Sequence, residues 1–292
     1  MNLWNRSAAV SFGPRGKKNE GVKISGLRIS FEVTKTSEST PNTAKISIYN
    51  LSPAHRALLE TEEDLGVILE AGYGGNLEEL FAGDIRRAVT QQQTVVNKPE
   101  SLTVIIVNQG PDRVTTIEAA SGQIAVDTVN FDKSYAAGQS TISILSDVIK
   151  SLGSVDIQDA LNFLKSGSVT DKIAQAGMAL SGMATRHIDK LVDVLDLEWS
   201  IQDNSLQILP KGKQTMEEAV LLTPETGLIG SPVWKKGGIE FTALINPKVR
   251  PGRAVAITIE EKQYTGFFRV WRADFSGDTH EQNWYVKAEA KE

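Results

Sequence analysis

Asp274, Asp278, His280 and Glu281 bring three carboxylates and an imidazole into one short stretch of the chain. Hard oxygen ligands of this kind suit Ca²⁺ or Mg²⁺, but the spacing is not that of an EF-hand loop. Gly277-Asp278 equally supplies the special backbone angles of a polar hairpin turn. The other two histidines, His55 and His187, have no partner at H-x-x-x-H spacing. Paired acids occur at Glu62-Glu63, Glu78-Glu79 and Glu217-Glu218. Two carboxylates could act as glycosidase acid and base, but nothing flanking these pairs suggests a cleft, and adjacent acids ordinarily sit on solvated turns. The chain lacks a G-x-S-x-G elbow and has no cysteine nucleophile. Gly72-Tyr73-Gly74-Gly75 lacks dinucleotide-loop spacing and reads as a hairpin turn. Gly13, Pro14 and Gly16 with Arg15, Lys17 and Lys18 lack the Gly-Lys-Ser/Thr of a P-loop. No catalytic, cofactor-binding or metal-ligating residue is therefore assigned.

Composition narrows the partners. The 292 residues suffice for two or more domains, and 40% are hydrophobic. No run approaches the ~18 apolar residues of a membrane helix, so no membrane insertion is expected. Met1 to Val10 has no apolar stretch of secretory type. The absence of cysteine excludes disulfides and thiolate metal sites and fits a reducing cytoplasm. A net charge of −5 and a pI near 5.4 argue against a protein that grips nucleic acid.

The elements around these residues are mostly strands. Leu27, Ile29, Phe31 and Val33 alternate with polar residues, as a half-buried strand does. Thr36 to Asn42 is a loop, and Ile46 and Ile48 start a second strand ending at Asn50. Ser52 and Pro53 supply an N-cap and a first-turn proline for a short helix with Ala54, Ala57 and Leu58 inward. Val67, Leu69, Ala71 and Tyr73 alternate again before a turn at Gly74-Gly75. Leu80, Phe81 and Ile85 flank Gly83. Leu102, Val104 and Ile106 make one strand and Thr115 to Ala119 another.

From about residue 121 the period changes. Ile144, Leu145, Val148, Ile149 and Leu152 fall at helical spacing with Gly153 as C-cap. Asp156 to Leu164 reads as a second helix, and Thr185 as the cap of a third with Ile188, Leu191, Val192 and Leu195 inward. Gly177 to Gly182 reads as a flexible or tightly turned piece. Trp199 and Ile201 face Leu206 and Ile208 across an Asp203-Asn204 turn. Strands return with Ile239, Phe241, Ala243 and Ile245, then Val255, Ile257 and Ile259. Phe268, Val270 and the return strand Trp284 to Ala288 flank a loop at Ser276-Gly277-Asp278-Thr279. Trp199, Trp271 and Trp284 are assigned to the core. Trp234 lies between Ser231-Pro232 and Lys235-Lys236-Gly237-Gly238. Trp4, in the N-terminal arm, is either an interface anchor, as exposed tryptophan can be, or packs the arm onto its own domain.

The order of several of these segments resembles a known family. Thr226-Gly227-Leu228-Ile229-Gly230-Ser231-Pro232, then Leu244-Ile245-Asn246-Pro247, then Arg250-Pro251-Gly252 looks like the C-terminal half of baseplate hub proteins of long-tailed, chiefly contractile, bacteriophages. Phe268-Arg269-Val270, Ser276-Gly277-Asp278-Thr279 and Asn283-Trp284-Tyr285 fit the same family. Ile46-Ser47-Ile48-Tyr49-Asn50-Leu51-Ser52 and Phe81-Ala82-Gly83-Asp84-Ile85 are similar to its first barrel, and Leu197-Glu198-Trp199-Ser200-Ile201 matches its insert.

The resemblance implies a mainly β fold with a small α+β insert and two tail-tube-like antiparallel β-barrel or sandwich domains. The expected division is 1–120, 121–212 and 213–292. It also implies a homotrimer at the tail tip, joining a six-fold tail tube or tube-initiator protein to a three-fold spike, with other baseplate proteins around it. Phage DNA would pass through the channel without specific binding. The expected location is the virion tail baseplate, assembled in the host cytoplasm. The alternatives are another tail-tip piece, such as a tube initiator or distal tail protein, and a cell-wall glycosidase.

Overall fold

The computed structural model describes residues 5–15, 20–62, 64–97, 106–235, 237–259 and 266–292. The first part of the chain runs β1 (Arg6–Pro14), β2 (Val22–Ser25), β3 (Ile29–Thr36), β4 (Thr43–Tyr49), α1 (Pro53–Thr61), β5 (Leu65–Tyr73), β6 (Asn76–Asn97) and β7 (Ile106–Ala120). The middle part runs α2 (Gln123–Thr128), β8 (Lys133–Tyr135), α3 (Thr141–Lys150), α4 (Gln158–Lys165), β9 (Met178–Leu180), α5 (Ala184–Val194), β10 (Leu197–Gln202) and β11 (Ser205–Pro210). The last part runs β12 (Val220–Leu222), β13 (Leu228–Lys235), β14 (Gly238–Leu244), β15 (Ala254–Ile257), β16 (Gly266–Asp278) and β17 (Trp284–Lys291).

The first and last parts use one topology. β3 pairs with β4, β4 with β7, β7 with β6 and β6 with β5. In the same order, β13 pairs with β14, β14 with β17, β17 with β16 and β16 with β15. The two sets join where β16 pairs antiparallel with β3, so one 13-stranded sheet spans both parts. Its inner face is a strict alternation: Ile29, Phe31 and Val33 on β3 and Trp284, Val286, Ala288 and Ala290 on β17 are all buried in a single hydrophobic core. A period of two places such residues on one face of a strand.

The middle part has a second, separate core built from Ile144, Leu145, Val148, Ile149, Ile188, Leu191, Trp199, Ile201 and their neighbours. Trp199 is anchored by its indole N–H donating to Asp189 Oδ1 at 2.7 Å. Asp203 and Asn204 adopt left-handed angles (φ 53° and 59°) and close the β10–β11 hairpin in the expected register, with Trp199 opposite Ile208.

Several expectations are corrected. In α1 the buried residue is Leu59, with Ala54 and Ala57 exposed, because the core lies on that side of the helix. The Ser52 cap holds, its side chain accepting from His55 N. The C-cap of α3 is Ser151 rather than Gly153. Thr185 lies inside the first turn of α5, whose N-cap is Met183. The stretch expected to turn at Gly177–Gly182 contains β9, paired with β8. Ser276 to Asp278 continue β16, and the turn falls after them. Ile106 and Thr115 to Ala119 share one strand. Trp271 is only half-buried, with the Lys291 ammonium 4.7 Å from its ring centroid. Trp4, Gly16, Lys17, Lys18, Glu63, Leu102 and Val104 lie outside the described residues.

Candidate assembly surface

The seam between β16 and β3 gathers the expected ion loop. Phe31 lies opposite Gly277, where a Cβ would come within 2.3 Å of the Phe31 ring. Glycine is thus the residue that lets the ring lie across the seam toward Trp284, whose ring meets it edge-on at 5.6 Å. Beside it, Arg28 donates to both carboxylate oxygens of Asp278, with Nη2 to Oδ2 at 2.8 Å, and to Glu281. The guanidinium also lies 4.4 Å from the Tyr49 ring centroid. Asp278 Oδ1 accepts from His280 N at 2.8 Å and Glu281 N at 3.1 Å, a closed Asx-type turn. Thr279 Oγ1 accepts from Ile29 N.

Burial works against the Asp278 charge, but Arg28 and the two backbone donors outweigh it and hold the carboxyl below the usual range. Arg28 is correspondingly raised by its bond to Asp278. Asp274 turns elsewhere, to Arg272 and to Thr34 Oγ1 at 2.8 Å. The four sequence candidates therefore divide between an ion-paired turn and a cross-strand contact. Among the described residues, no group of three or more His, Asp or Glu is arranged to hold a metal.

The other candidates disperse. Glu78 pairs with Lys248 at 3.3 Å, and Glu217 with Arg250 and Arg253. Glu79 is raised, first by burial and then by Asp203. His187 is buried with neither ring nitrogen hydrogen-bonded.

Across β3, β4, β7 and β6 the outer face of the sheet carries rows of balanced charge and hydroxyl groups. Glu32 lies opposite Lys45, Lys45 opposite Glu118, and Glu118 opposite Arg87, all exposed. The next row is hydroxyl-rich, with Ser30 opposite Ser47 and Ser47 opposite Thr116, whose hydroxyl oxygens are 3.2 Å apart. These rows carry alternating charge and small hydrogen-bonding groups.

A polar latch that the sequence reading missed fixes the insert to the sheet. Lys35 is 1% exposed, and its Nζ donates to Asp203 Oδ1 at 2.6 Å and Oδ2 at 2.7 Å. Asp203 Oδ1 also accepts from Ala82 N. Asn204 Oδ1 accepts from Gly122 N, and Asn204 N donates to Ser121 Oγ. Asn42 Nδ2 donates to Ile201 O and Gln202 Oε1. A signal was present: Lys35 follows Ile29, Phe31 and Val33 at the same inward parity.

The open strand edges among the described residues include those of β13 and β6. β13 is a terminal strand of the sheet, and Val233 (55% exposed) and Trp234 (41%) lie on it. β6 loses its β5 neighbour after Asp84 and continues to Asn97 paired only with β7.

Comparisons with known proteins bear on this arrangement. A family profile described as "Baseplate hub gp41" matches residues 10–290. The structure is similar to a 43 kDa tail protein of prophage MuSo2 from Shewanella oneidensis, with a TM-score of 0.58, 10% identity and coverage of 97% of this chain and 96% of that one. It is similar to a tail protein from Neisseria meningitidis MC58, with a TM-score of 0.56, 9% identity and coverage of 99% and 97%. It also resembles the E. coli c3393 protein, a type VI secretion component described as similar to the T4 phage tail proteins gp27 and gp5. That match has a TM-score of 0.59, 10% identity and coverage of 96% and 76%. Identities this low speak for the shared fold. Nothing among the curated proteins matches the chain.

Proposed function

The chain belongs to the baseplate hub gp41 family, and from that premise we propose that it is the central hub subunit at the tail tip. Its role is structural within a phage tail. In this reading it forms a homotrimer, lies between a six-fold tail tube or tube initiator and a three-fold spike, and lines the channel through which DNA leaves. It works in the virion tail baseplate after assembly in the host cytoplasm, with other baseplate proteins around it, and performs no chemistry itself.

The observation that carries the reading is the repeated strand order, β3-β4-β7-β6-β5 and β13-β14-β17-β16-β15, within one chain. Three copies of a chain with two such units present six around an axis, which supports a match between six-fold and three-fold neighbours. A tube initiator or distal tail protein with one unit per chain would reach six only as a hexamer. The division into 1–120, 121–212 and 213–292 follows the same logic: two sheet units flank an insert with its own core.

The outer face supports the channel role. Glu32 and Glu118 offset Lys45 and Arg87, so phosphates meet no net basic row. Binding of DNA rests largely on Lys and Arg neutralising phosphates. A glycosidase would need two free carboxylates facing across a cleft, whereas Glu217 and Glu78 are ion-paired.

Native mass measurement of the purified protein, with electron microscopy of intact tails, tests the reading. Three copies at the tube–spike junction are expected. A stable hexamer, or a position away from that junction, would overturn it.

A further inference from the structure

We infer that the ring closes by β6 of one copy pairing antiparallel with β13 of the next, with Gln91 opposite Val233 and Val89 opposite Lys235. This rests on the oligomeric reading above and adds the strands and register that make the contact.

The two units correspond residue by residue through their bulges. In β16 a bulge falls between Val270 and Arg272, and Arg272 sits opposite Glu289 of β17. In β6 a bulge falls between Ile85 and Arg87, and Arg87 sits opposite Glu118 of β7. The same kink is followed by the same Arg–Glu cross-strand pair, so Arg87 corresponds to Arg272 and Glu118 to Glu289. Glu289 is opposite Glu240, and Glu118 is opposite Lys45, so Lys45 corresponds to Glu240. Glu240 is opposite Val233, and Lys45 is opposite Glu32, so Glu32 corresponds to Val233.

Within the chain, β16 drops β15 before its bulge and takes β3 after it, with Ser276 opposite Glu32 and Asp274 opposite Thr34. The first unit has the same vacancy. β6 drops β5 at Asp84 and, among the described residues, has no strand on that side after its bulge. The counterpart of β3 is β13, whose outer side borders no strand among the described residues. Translating the β16–β3 register through the correspondences gives the pairs named above. One seam is made inside the chain, and the other is offered to a second copy.

The side chains fit the translation. Pairing would cover Val233 and Trp234, both substantially exposed in one chain, and would bring Thr90 opposite Trp234. It would also remove two open strand edges, which otherwise invite uncontrolled association. Because the contact joins different surfaces of identical chains, it is heterologous, the kind that builds a ring when its rotation closes, as the trimeric reading requires.

The chain has no cysteine, which permits a direct test by oxidative cross-linking of purified protein. Opposite residues of an antiparallel pair have Cα atoms about 4.5–5.5 Å apart, inside the roughly 4.4–6.8 Å that a disulfide spans. Gln91→Cys with Val233→Cys is compared with the off-register pair Gln91→Cys with Ile229→Cys, and Val89→Cys with Lys235→Cys gives a second in-register pair. Both in-register pairs are expected to cross-link between chains at least tenfold more than the off-register pair, in a ladder that stops at three. Absence of that preference overturns the pairing, whatever the native mass. A ladder that stops at six keeps the pairing and overturns the three-fold reading.

Discussion

The rings of Tyr73 and Trp284 meet edge-on with centroids 6.3 Å apart, although their strands are far apart along the sheet. The path from β17 to β5 passes through β16, β3, β4, β7 and β6. The sheet therefore curls until its inner face meets itself, and Trp284 becomes the point where both units share a core. Trp284→Ala should cost about 3–5 kcal/mol, the range for deleting a large buried aromatic. Chemical denaturation should show one transition moved to lower denaturant, because the core is common to both units.

The Tyr73 hydroxyl has no hydrogen-bond partner and is pushed up to about 12 by burial, with Arg6 and the Trp284 indole acting in the opposite direction. Its folded value is raised above its unfolded one, near 10. Stability should thus be intact below pH ~10 and fall as pH rises from there through the folded value. Spectroscopic titration of tyrosine should show a late phenol that is lost in Tyr73→Phe. The same variant should leave neutral-pH stability unchanged or slightly higher, since no hydrogen bond is lost.

The latch between Lys35 and Asp203 gives a second expectation. Lys35→Ala leaves Asp203 beside Glu79 without its cation. Removing one member of a buried pair costs about 3–5 kcal/mol. Lys35→Met with Asp203→Asn should cost less, because the uncompensated charge goes too. Hydrogen exchange should separate the two: the single variant should speed exchange through β10 and β11 more than through α3. The separate insert core would keep α3 protected.

The fold was legible where burial is one-sided. Ile29, Phe31 and Val33 announce β3, and Asp203-Asn204 announces its hairpin, because period and turn chemistry are local. The seam was not legible. Nothing in Arg28 or Asp278 indicates that residues 250 positions apart will meet, so the acidic C-terminal loop read as a possible ion site. Its positive charge comes from the other unit. The repeat was also hidden, because it lies in strand order and bulge position while its side chains differ, as at Glu32 and Val233. Lys35 was readable in principle, since an inward lysine in an apolar alternation requires a buried partner.

Asp278 should shape the acid limb of stability. Its carboxyl is depressed by Arg28 and by the His280 and Glu281 backbone donors. A depressed acid contributes stability above its unfolded value, near 3.9, and loses that contribution as pH falls through the folded value. Asp278→Asn should flatten this limb in acid-unfolding curves and cost about 2 kcal/mol at neutral pH, the scale of hydrogen bonds to a charged group. Glu281→Gln, at the exposed end of the same Arg28 contact, should change little.

Gly277 and Phe31 supply the cleanest test of the seam itself. A Cβ at Gly277 would lie 2.3–2.8 Å from three Phe31 ring atoms, so Gly277→Ala must displace the ring. Overpacking of this kind costs about 1–3 kcal/mol. Phe31→Leu shortens the side chain and makes room for the methyl. If the clash is the cause, the double variant Phe31→Leu with Gly277→Ala should be more stable than the sum of the single changes allows, a coupling measurable as a double-mutant cycle. Additive losses would mean that the ring does not lie over Gly277 in solution. The β16–β3 seam, on which the interchain register was built, would then need a different side-chain arrangement.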